Sequence, residues 1–469
     1  MAKREAGLLR RRRDRERSRT PRAVDAARWA AWCARALDTR RPEHVRALLD
    51  RLRAAQTAGP PPDRAAAVDA LAAAPAPLLA LLDRHARPND PAPRPTAPER
   101  PADLLRLVLD CLDSRGRIRE AAVEALTARG GPLPAAALAV RAADWVPEVR
   151  SRATAALLTR TAPDEVAAAV RVLLGLRARR RAEGLLEAYR EVLSEPVHRR
   201  SVRALAADAY PPARRFGVEL ALDLGEYVRG DLLRTALHDH DQVCRRLCAQ
   251  RLLELDPEQA GRLLWARGAG VRELAVTALP ADVPAARLLA PLADRARMVR
   301  AQARWKLYER GEPPAEVYRR QLRRALKDDA APRLLAGLAA GLGECGDAGD
   351  PAAGGDTALL ARLLPDPRPA VRRAAVRALG RLAKPYELVP LLGPLANDPD
   401  PGVAREVFEA LSRVPHEVPP ETLWIGRTRT EPAVRRLAER ITARAPVYRP
   451  TYEGSPHGGG AQSRGTAGR

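Results

Sequence analysis

The chain has 469 residues, a formal net charge of +23 at pH 7 and only 3% aromatic residues, and arginine supplies 77 of its 81 basic residues. With two Phe and two Met, the core must be built from Ala, Leu and Val at helical spacing, which argues against an all-β fold. No charge-free apolar run is long enough to span a membrane, no apolar signal segment is present near the N-terminus, and the five cysteines are scattered. These features predict a cytoplasmic protein without a membrane span.

The N-terminal part of the chain falls into three predicted segments. Residues 1–22 hold ten basic residues and almost no apolar ones, which predicts a disordered basic arm. Residues 23–84 carry Ala and Leu at helical spacing and predict a small helical segment. Six prolines between Pro88 and Pro101 interrupt any helix, so we expect residues 85–102 to form an extended linker and a domain boundary.

Residues 103–442 repeat one pattern. In the clearest copies an apolar anchor lies five residues after an Asp, and an Arg usually follows the anchor. Small or apolar residues lie four, seven and eight positions beyond the anchor, and these offsets share one face of a helix. The copies are DSRGRIREAAVEAL from Asp113, DWVPEVRSRATAAL from Asp144, DPRPAVRRAAVRAL from Asp366 and DPDPGVAREVFEAL from Asp398.

The anchors recur 27 to 39 residues apart, and an amphipathic run precedes each of them. They are Ile118, Val149, Ala182, Ala213, Cys244, Val271, Val299, Pro332, Val371, Val403 and Val434, of which Ala182 and Pro332 fit weakly. The longest step contains a Gly/Asp/Pro-rich insertion loop at residues 343–356. One unit is therefore a helix A, a short turn with Asp, and a helix B.

A single hairpin of this kind cannot bury its apolar face, so the units must stack on one another. The sequence therefore predicts an all-α fold, an α-solenoid of about ten to eleven helical hairpins. Residues 443–469 have too little apolar surface to offset the entropy of ordering, and they predict a disordered tail.

These units resemble the HEAT repeat family, in particular the short HEAT-like repeats of phycobilisome lyases. The resemblance covers residues 103–442 and depends on the turn Asp, the Pro, the Val-Arg pair and the small residues after it. It implies that the recurring Asp and Arg form a structural ladder between adjacent repeats, and that the B helices line a concave side. HEAT arrays serve as scaffolds, transport receptors, enzyme subunits and a few DNA glycosylases, so the resemblance does not define an activity.

Two motifs that could hold a metal or a nucleotide fit the repeat better. HDHDQVCRRLC at residues 238–248 offers His238, His240, Cys244 and Cys248, but Cys244 occupies the anchor position and Cys248 the small position four residues later. We therefore expect both cysteines in the core. GLGECG at residues 341–346 follows a helix instead of a strand, which predicts a helix end. The sequence thus indicates no cofactor, no metal site and no catalytic residue.

The tryptophans divide into two groups. Trp29, Trp32, Trp265 and Trp305 lie within helical periodicity and are expected to pack inside the protein. Trp145 follows the turn Asp directly, where other copies carry Ser, Ala, His, Pro or Arg. We therefore expect Trp145 to be an exposed contact for a partner.

A second arginine follows the ladder arginine, or its position, in five copies: Arg215, Arg246, Arg373, Arg405 and Arg436. Two residues past a buried anchor is about 200° around a helix, so these side chains should face solvent. By the resemblance they could form an interrupted basic stripe on the B helices. With few aromatics beside it, the stripe would suit sequence-independent contact with phosphates.

The sequence therefore favours a non-catalytic scaffold that binds a protein partner with an acidic surface. One alternative is a nucleic-acid-binding protein that uses the arginine stripe, and another is a HEAT-like glycosylase or lyase. An arginine excess with abundant Ala, Gly and Pro is also what a GC-rich genome produces by codon bias. The pattern leaves the partner and the oligomeric state open.

Overall fold

The computed structural model describes residues 21–58, 61–75, 77–86, 103–182, 184–349 and 355–445. These ranges hold 26 α-helices and no β-strand. The predicted basic arm, proline-rich linker and C-terminal tail fall almost wholly outside the described residues, as do residues 350–354 of the insertion loop. The chain divides into two compact units, Met1–Asp256 and Pro257–Arg469.

The first unit contains fourteen of the helices. They are α1 (Pro21–Thr39), α2 (Pro42–Ala58), α3 (Pro61–Ala73), α4 (Pro77–His85), α5 (Leu104–Cys111), α6 (Gly116–Thr127), α7 (Pro132–Arg141), α8 (Pro147–Leu158), α9 (Pro163–Leu176), α10 (Leu185–Leu193), α11 (Arg199–Ala206), α12 (Pro211–Asp223), α13 (Arg229–His238) and α14 (Gln242–Leu255).

The second unit contains the other twelve. They are α15 (Ala260–Leu263), α16 (Ala269–Ala278), α17 (Ala285–Leu292), α18 (Arg297–Glu309), α19 (Pro314–Lys327), α20 (Pro332–Cys345), α21 (Asp356–Ala361), α22 (Pro369–Leu382), α23 (Pro385–Leu392), α24 (Pro401–Leu411), α25 (Pro420–Thr428) and α26 (Pro432–Arg444).

The helices pair into hairpins as the repeat pattern predicts. Many begin with Pro in their first turn, where its missing N–H costs no hydrogen bond. The anchors Val149, Ala213, Val371 and Val403 are completely buried. The weak anchor Pro332 is an exception, because it is exposed at the start of α20 and Leu335 is buried instead. Pro332 is the first residue of its helix, whereas Val149, Val371 and Val403 are each the third, so the spacing placed this anchor too early in α20.

Each turn aspartate hydrogen-bonds the backbone of its own turn. In all seven copies that carry the turn Asp, its carboxylate accepts a hydrogen bond from the backbone N–H of the residue two positions later, with N–O distances of 2.7 to 2.9 Å. These aspartates are Asp113, Asp144, Asp208, Asp239, Asp294, Asp366 and Asp398. A short side chain that bonds its own backbone in this way stabilises the turn without help from the rest of the fold.

Four of the ladder arginines connect one turn to the next. Arg119 donates to the carbonyl of Asp113 in its own turn and to the carboxylate of Asp144 in the following turn, with N–O distances of 2.9 to 3.0 Å. The same two-way bridge joins Arg214 to Asp239, Arg272 to Asp294 and Arg372 to Asp398. These charge-assisted bonds hold neighbouring hairpins in one register, as the ladder interpretation predicts.

The ladder changes at the copy with the exposed anchor. Arg300 pairs with Glu344, near the end of α20, and Arg304 donates to the same carboxylate at 2.7 Å. Burial opposes the charged form of Glu344, but the hydrogen bonds from Arg300 and Arg304 outweigh it and lower the pKa of this carboxyl. Arg333, the residue expected to serve as a ladder arginine here, is exposed and has no acidic partner among the described residues. Arg333 directly follows Pro332, so its expected role was misplaced together with that anchor.

The N-terminal helices α1–α4 share the core of the first unit. Trp29 and Leu82 are buried in the same apolar cluster as Val149 and Leu173. Asp83, at the end of α4, is buried and paired with Arg141 of α7. The predicted linker lies outside the described residues, so its role as a boundary stays a prediction; the helices on its two sides pack directly against each other.

Candidate partner-binding site

Trp145 lies in the turn between α7 and α8, directly after the ladder residue Asp144. Its side chain is 51% exposed. The guanidinium of Arg119 lies 5.3 Å from the centre of the indole ring, a distance typical of a cation–π contact. Arg119 is itself held by Asp144 and by turn carbonyls, so the ladder fixes one face of the ring and leaves the other open.

The ring borders an open groove of about 400 Å³. This Trp145 groove is lined by Asp83, Arg84, Arg141, Ala143, Asp144, Trp145, Arg179 and Arg181. Helix α4, the end of α7 and the irregular segment after α9 thus contribute its walls. A groove of this size accommodates a few side chains of a bound peptide.

The two acidic residues of the groove both form ion pairs with arginines of the protein itself. Asp144 is buried and accepts bonds from Arg119 and from Arg141, the latter at 2.6 Å. Burial alone would raise the pKa of Asp144, but the bonds from Arg119 and the backbone N–H of Val146 lower it below its usual value. Asp83 is paired with Arg141 and, at 3.0 Å, with Arg179.

The groove has more arginines than acidic residues. Arg84 and Arg181 are exposed and form no ion pair among the described residues, and Arg179 is about one-third exposed. The Nε atom of buried Arg141 has no hydrogen-bond partner. Among the charged residues that line the groove, the exposed ones are therefore arginines, and both aspartates are buried.

The predicted arginine stripe is only partly formed. Arg215 donates to Asp241 and Arg373 donates to Asp400, and each Asp caps the N-terminus of the next helix B. These two arginines therefore act as a second rung of the ladder. Arg246, Arg405 and Arg436 are exposed, as the sequence predicts, and form no ion pair among the described residues. Arg405 and Arg436 border a shallow groove that also contains Arg440, Glu409 and Glu439.

Two of the tryptophans expected inside the protein lie on its surface. Trp29 is buried and packs edge-to-face on Trp32, as expected. Trp265 is 77% exposed and Trp305 is 60% exposed, so the prediction for them was wrong. Trp305 lies six residues after its anchor in α18, which is 240° around the helix and away from the buried face. Trp265 lies in the turn between α15 and α16. Sequence reasoning also missed Trp424, which is exposed and borders a groove with Asn397 and Arg429.

The Cys motif at residues 238–248 and the Gly motif at residues 341–346 both belong to the packing and the helices of the fold. Cys244 and Cys248 are fully buried, and burial raises the pKa of each thiol to about 12. No group of three or more His, Cys, Asp or Glu in the described part of the chain is arranged to hold a metal ion. Gly341 and Gly343 lie inside α20, and Gly346 caps its C-terminus.

No single helix in the described ranges has the length and apolar composition of a membrane span; the bent pair Pro62–Ala73 and Pro77–His85 meets that measure only when its two helices are taken together.

Comparison with known proteins supports the repeat interpretation. Residues 357–442 match the family model of HEAT repeats. No curated protein matches the chain. The crystal structure of Kap121p is similar at 12% identity with a TM-score of 0.21, over 85% of this chain and 45% of that one. The described part of the chain is thus an all-α solenoid of helical hairpins, and its residues 357–442 match HEAT repeats.

Proposed function

We propose that this protein is a non-catalytic helical-repeat scaffold that binds a protein partner with an acidic surface, and that the Trp145 groove is its main contact. The observation that carries the proposal is an exposed indole ring, fixed over Arg119, beside cations with no acidic partner.

The geometry of the groove suits this role. Tryptophan is among the residues that contribute most to protein interfaces, because its large ring buries much apolar surface at little entropic cost. Here the ring is held before a partner arrives, which lowers the ordering cost of binding. Arg84, Arg179 and Arg181 would attract carboxylates to the rim and repel basic proteins.

The exposed B-helix arginines Arg246, Arg405 and Arg436 belong to the proposal as secondary contacts. Two others predicted for the same stripe, Arg215 and Arg373, are engaged by Asp241 and Asp400, so they are less available to a partner. A concave B-helix side, a closer relation to the repeats of phycobilisome lyases and a cytoplasmic location remain predictions from the sequence and its resemblance.

The turn aspartates support a non-catalytic role. A HEAT-like glycosylase would need an acidic residue free to act on its substrate. All seven turn aspartates of the repeat instead accept a backbone N–H of their own turn, and four of them also pair with a ladder arginine of the preceding hairpin.

The test is a comparison of two exposed tryptophans. Trp145→Ala should weaken capture of the acidic partner about tenfold or more, whereas Trp265→Ala should leave capture unchanged. Both variants should keep the thermal stability of the wild type, because neither ring is buried. The measurement is quantitative mass spectrometry of proteins retained from a nuclease-treated lysate by each immobilised variant.

Equal retention by both variants would contradict the assignment of the groove. A large fall in melting temperature for Trp145→Ala alone would show that the ring packs the turn instead of binding a partner.

A further inference from the structure

Four cations lie together on the exposed side of helix α19, and the exposed acid Glu316, four residues before Arg320, is paired with Arg319. Arg320, Arg323, Arg324 and Lys327 are all exposed, and their spacing of i, i+3, i+4 and i+7 places them on one side of the helix. The opposite side is buried through Val317, Tyr318, Leu322 and Ala325. We name these four cations the α19 face. They extend about 10 Å along the helix axis at 1.5 Å per residue.

The α19 face differs from exposed helix arginines that pair with a nearby acid. Arg377 pairs with Glu406, Arg251 with Glu254 and Arg152 with Glu124, each at 2.5 to 3.2 Å. Arg320, Arg323 and Lys327 have no acidic partner in the described part of the chain, and Arg324 has only the exposed Asp328 at 3.6 Å. The remaining arginine of the helix, Arg319, is engaged by Asp356 and Glu316.

Helix stability does not explain this arrangement. Like charges three and four residues apart destabilise a helix by a few tenths of a kcal/mol per pair. Cations in the last turn interact favourably with the helix dipole, which accounts for Arg324 and Lys327. Arg320 and Arg323 gain little from the dipole, and their placement is unfavourable unless an anion is present.

We infer that the α19 face binds the phosphate backbone of a double-stranded nucleic acid, a function separate from the proposed protein partner. No large apolar side chain of α19 is exposed, so the face lacks the anchor that protein interfaces use. No aromatic residue lies on it, so it cannot stack the bases of a single strand. A row of guanidinium and ammonium groups alone suits sequence-independent contact with phosphates.

The test uses a fluorescently labelled duplex DNA of mixed sequence and the full chain, with anisotropy measured over a range of salt. The test variant replaces Arg320, Arg323, Arg324 and Lys327 by Gln, which keeps helix propensity. The control variant replaces Arg117, Arg200, Arg287 and Arg427 by Gln, so that it loses the same charge from exposed positions of other helices.

For the test variant we expect affinity to fall roughly tenfold or more at low salt. The slope of log K against log salt should become shallower by about 3.6, since each phosphate contact contributes about 0.9. The double variant Arg320→Gln/Arg323→Gln should account for about 1.8 of that change. The control variant and Trp145→Ala should bind the duplex like the wild type.

Three outcomes would overturn the inference: no binding of the wild type at low salt, equal losses in the test and control variants, or loss in the test variant of binding to vesicles containing phosphatidylserine while duplex binding stays intact. Trp145→Ala separates this result from the proposed scaffold function, because it affects partner capture and not the duplex.

Discussion

The role of an arginine in this chain depends on whether its partner is buried. Arg119 and Asp144 are both fully buried and bonded, whereas Arg152 lies half-exposed between Glu120 and Glu124. Breaking a buried pair leaves a charge without a partner and costs about 3–5 kcal/mol, while an exposed pair contributes about 1 kcal/mol or less. The ladder therefore stabilises the fold through a few arginines of the many in the sequence.

A pH prediction follows for Asp144. Hydrogen bonds overcome burial and lower its pKa below the usual 3.8, so the unfolded chain takes up its proton first as the pH falls. The stability that Asp144 contributes is complete above about pH 5 and is lost progressively below that, toward its folded pKa.

Asp144→Asn should accordingly lower the unfolding free energy by about 3 kcal/mol at neutral pH, because buried Arg119 and Arg141 lose their counter-charge. The difference from wild type should shrink as urea unfolding is repeated toward pH 3. Arg152→Ala is the control and should change stability by less than about 1 kcal/mol. A difference that does not vary with pH would show that Asp144 does not depend on its charge.

At the scale of an element, helix α20 shows how close packing can determine a sequence. A Cβ on Gly337 would overlap the backbone carbonyl of Ala293, and one on Gly341 would overlap the ring of Tyr318. A Cβ on Gly343 would lie 2.6 Å from the Cβ of Ala378 in α22, which is also too close. Glycine weakens a helix by up to about 1 kcal/mol relative to Ala, so these glycines are retained for the space that they leave.

Gly337→Ala should therefore destabilise the protein by about 1–3 kcal/mol in spite of its better helix propensity. Gly175→Ala, at an exposed position of α9 with no atom within 4 Å of the added Cβ, should stabilise it slightly. Thermal unfolding of the two variants measures both effects. Stabilisation by both would mean that α20 can shift away from Ala293 at no cost.

At the scale of the whole molecule, each hairpin is stabilised by the hairpins that pack on either side of it. Val371 is fully buried in α22, between α20 and α24. Stacked repeats contact only adjacent units, so damage at one position should spread locally.

Val371→Asp buries a carboxylate with no partner and should unfold its own hairpin and the adjacent ones. Arg152→Asp, at an exposed position, should not unfold any hairpin. Hydrogen exchange should show loss of protection around residues 357–442 in the first variant, with the helices of the first unit still protected. Similar small effects from the two substitutions would show that the repeat register is wrong.

The amino-acid sequence by itself determined the hairpins, the register of most of them and the turn aspartates, because each depends on spacing within one helix or one turn. Val149, Val371 and Cys244 are buried where their spacing predicts. Only the tertiary structure decided which charges stay free, since the partner of an arginine comes from another hairpin. Arg215 and Arg373 meet aspartates of the following hairpin and leave the predicted stripe, while Arg320, Arg323 and Lys327 of the α19 face meet no acid among the described residues. Exposure of Trp265 was likewise decided only by the structure, because α15 ends at Leu263 and leaves this residue in the turn before α16, outside any helical periodicity.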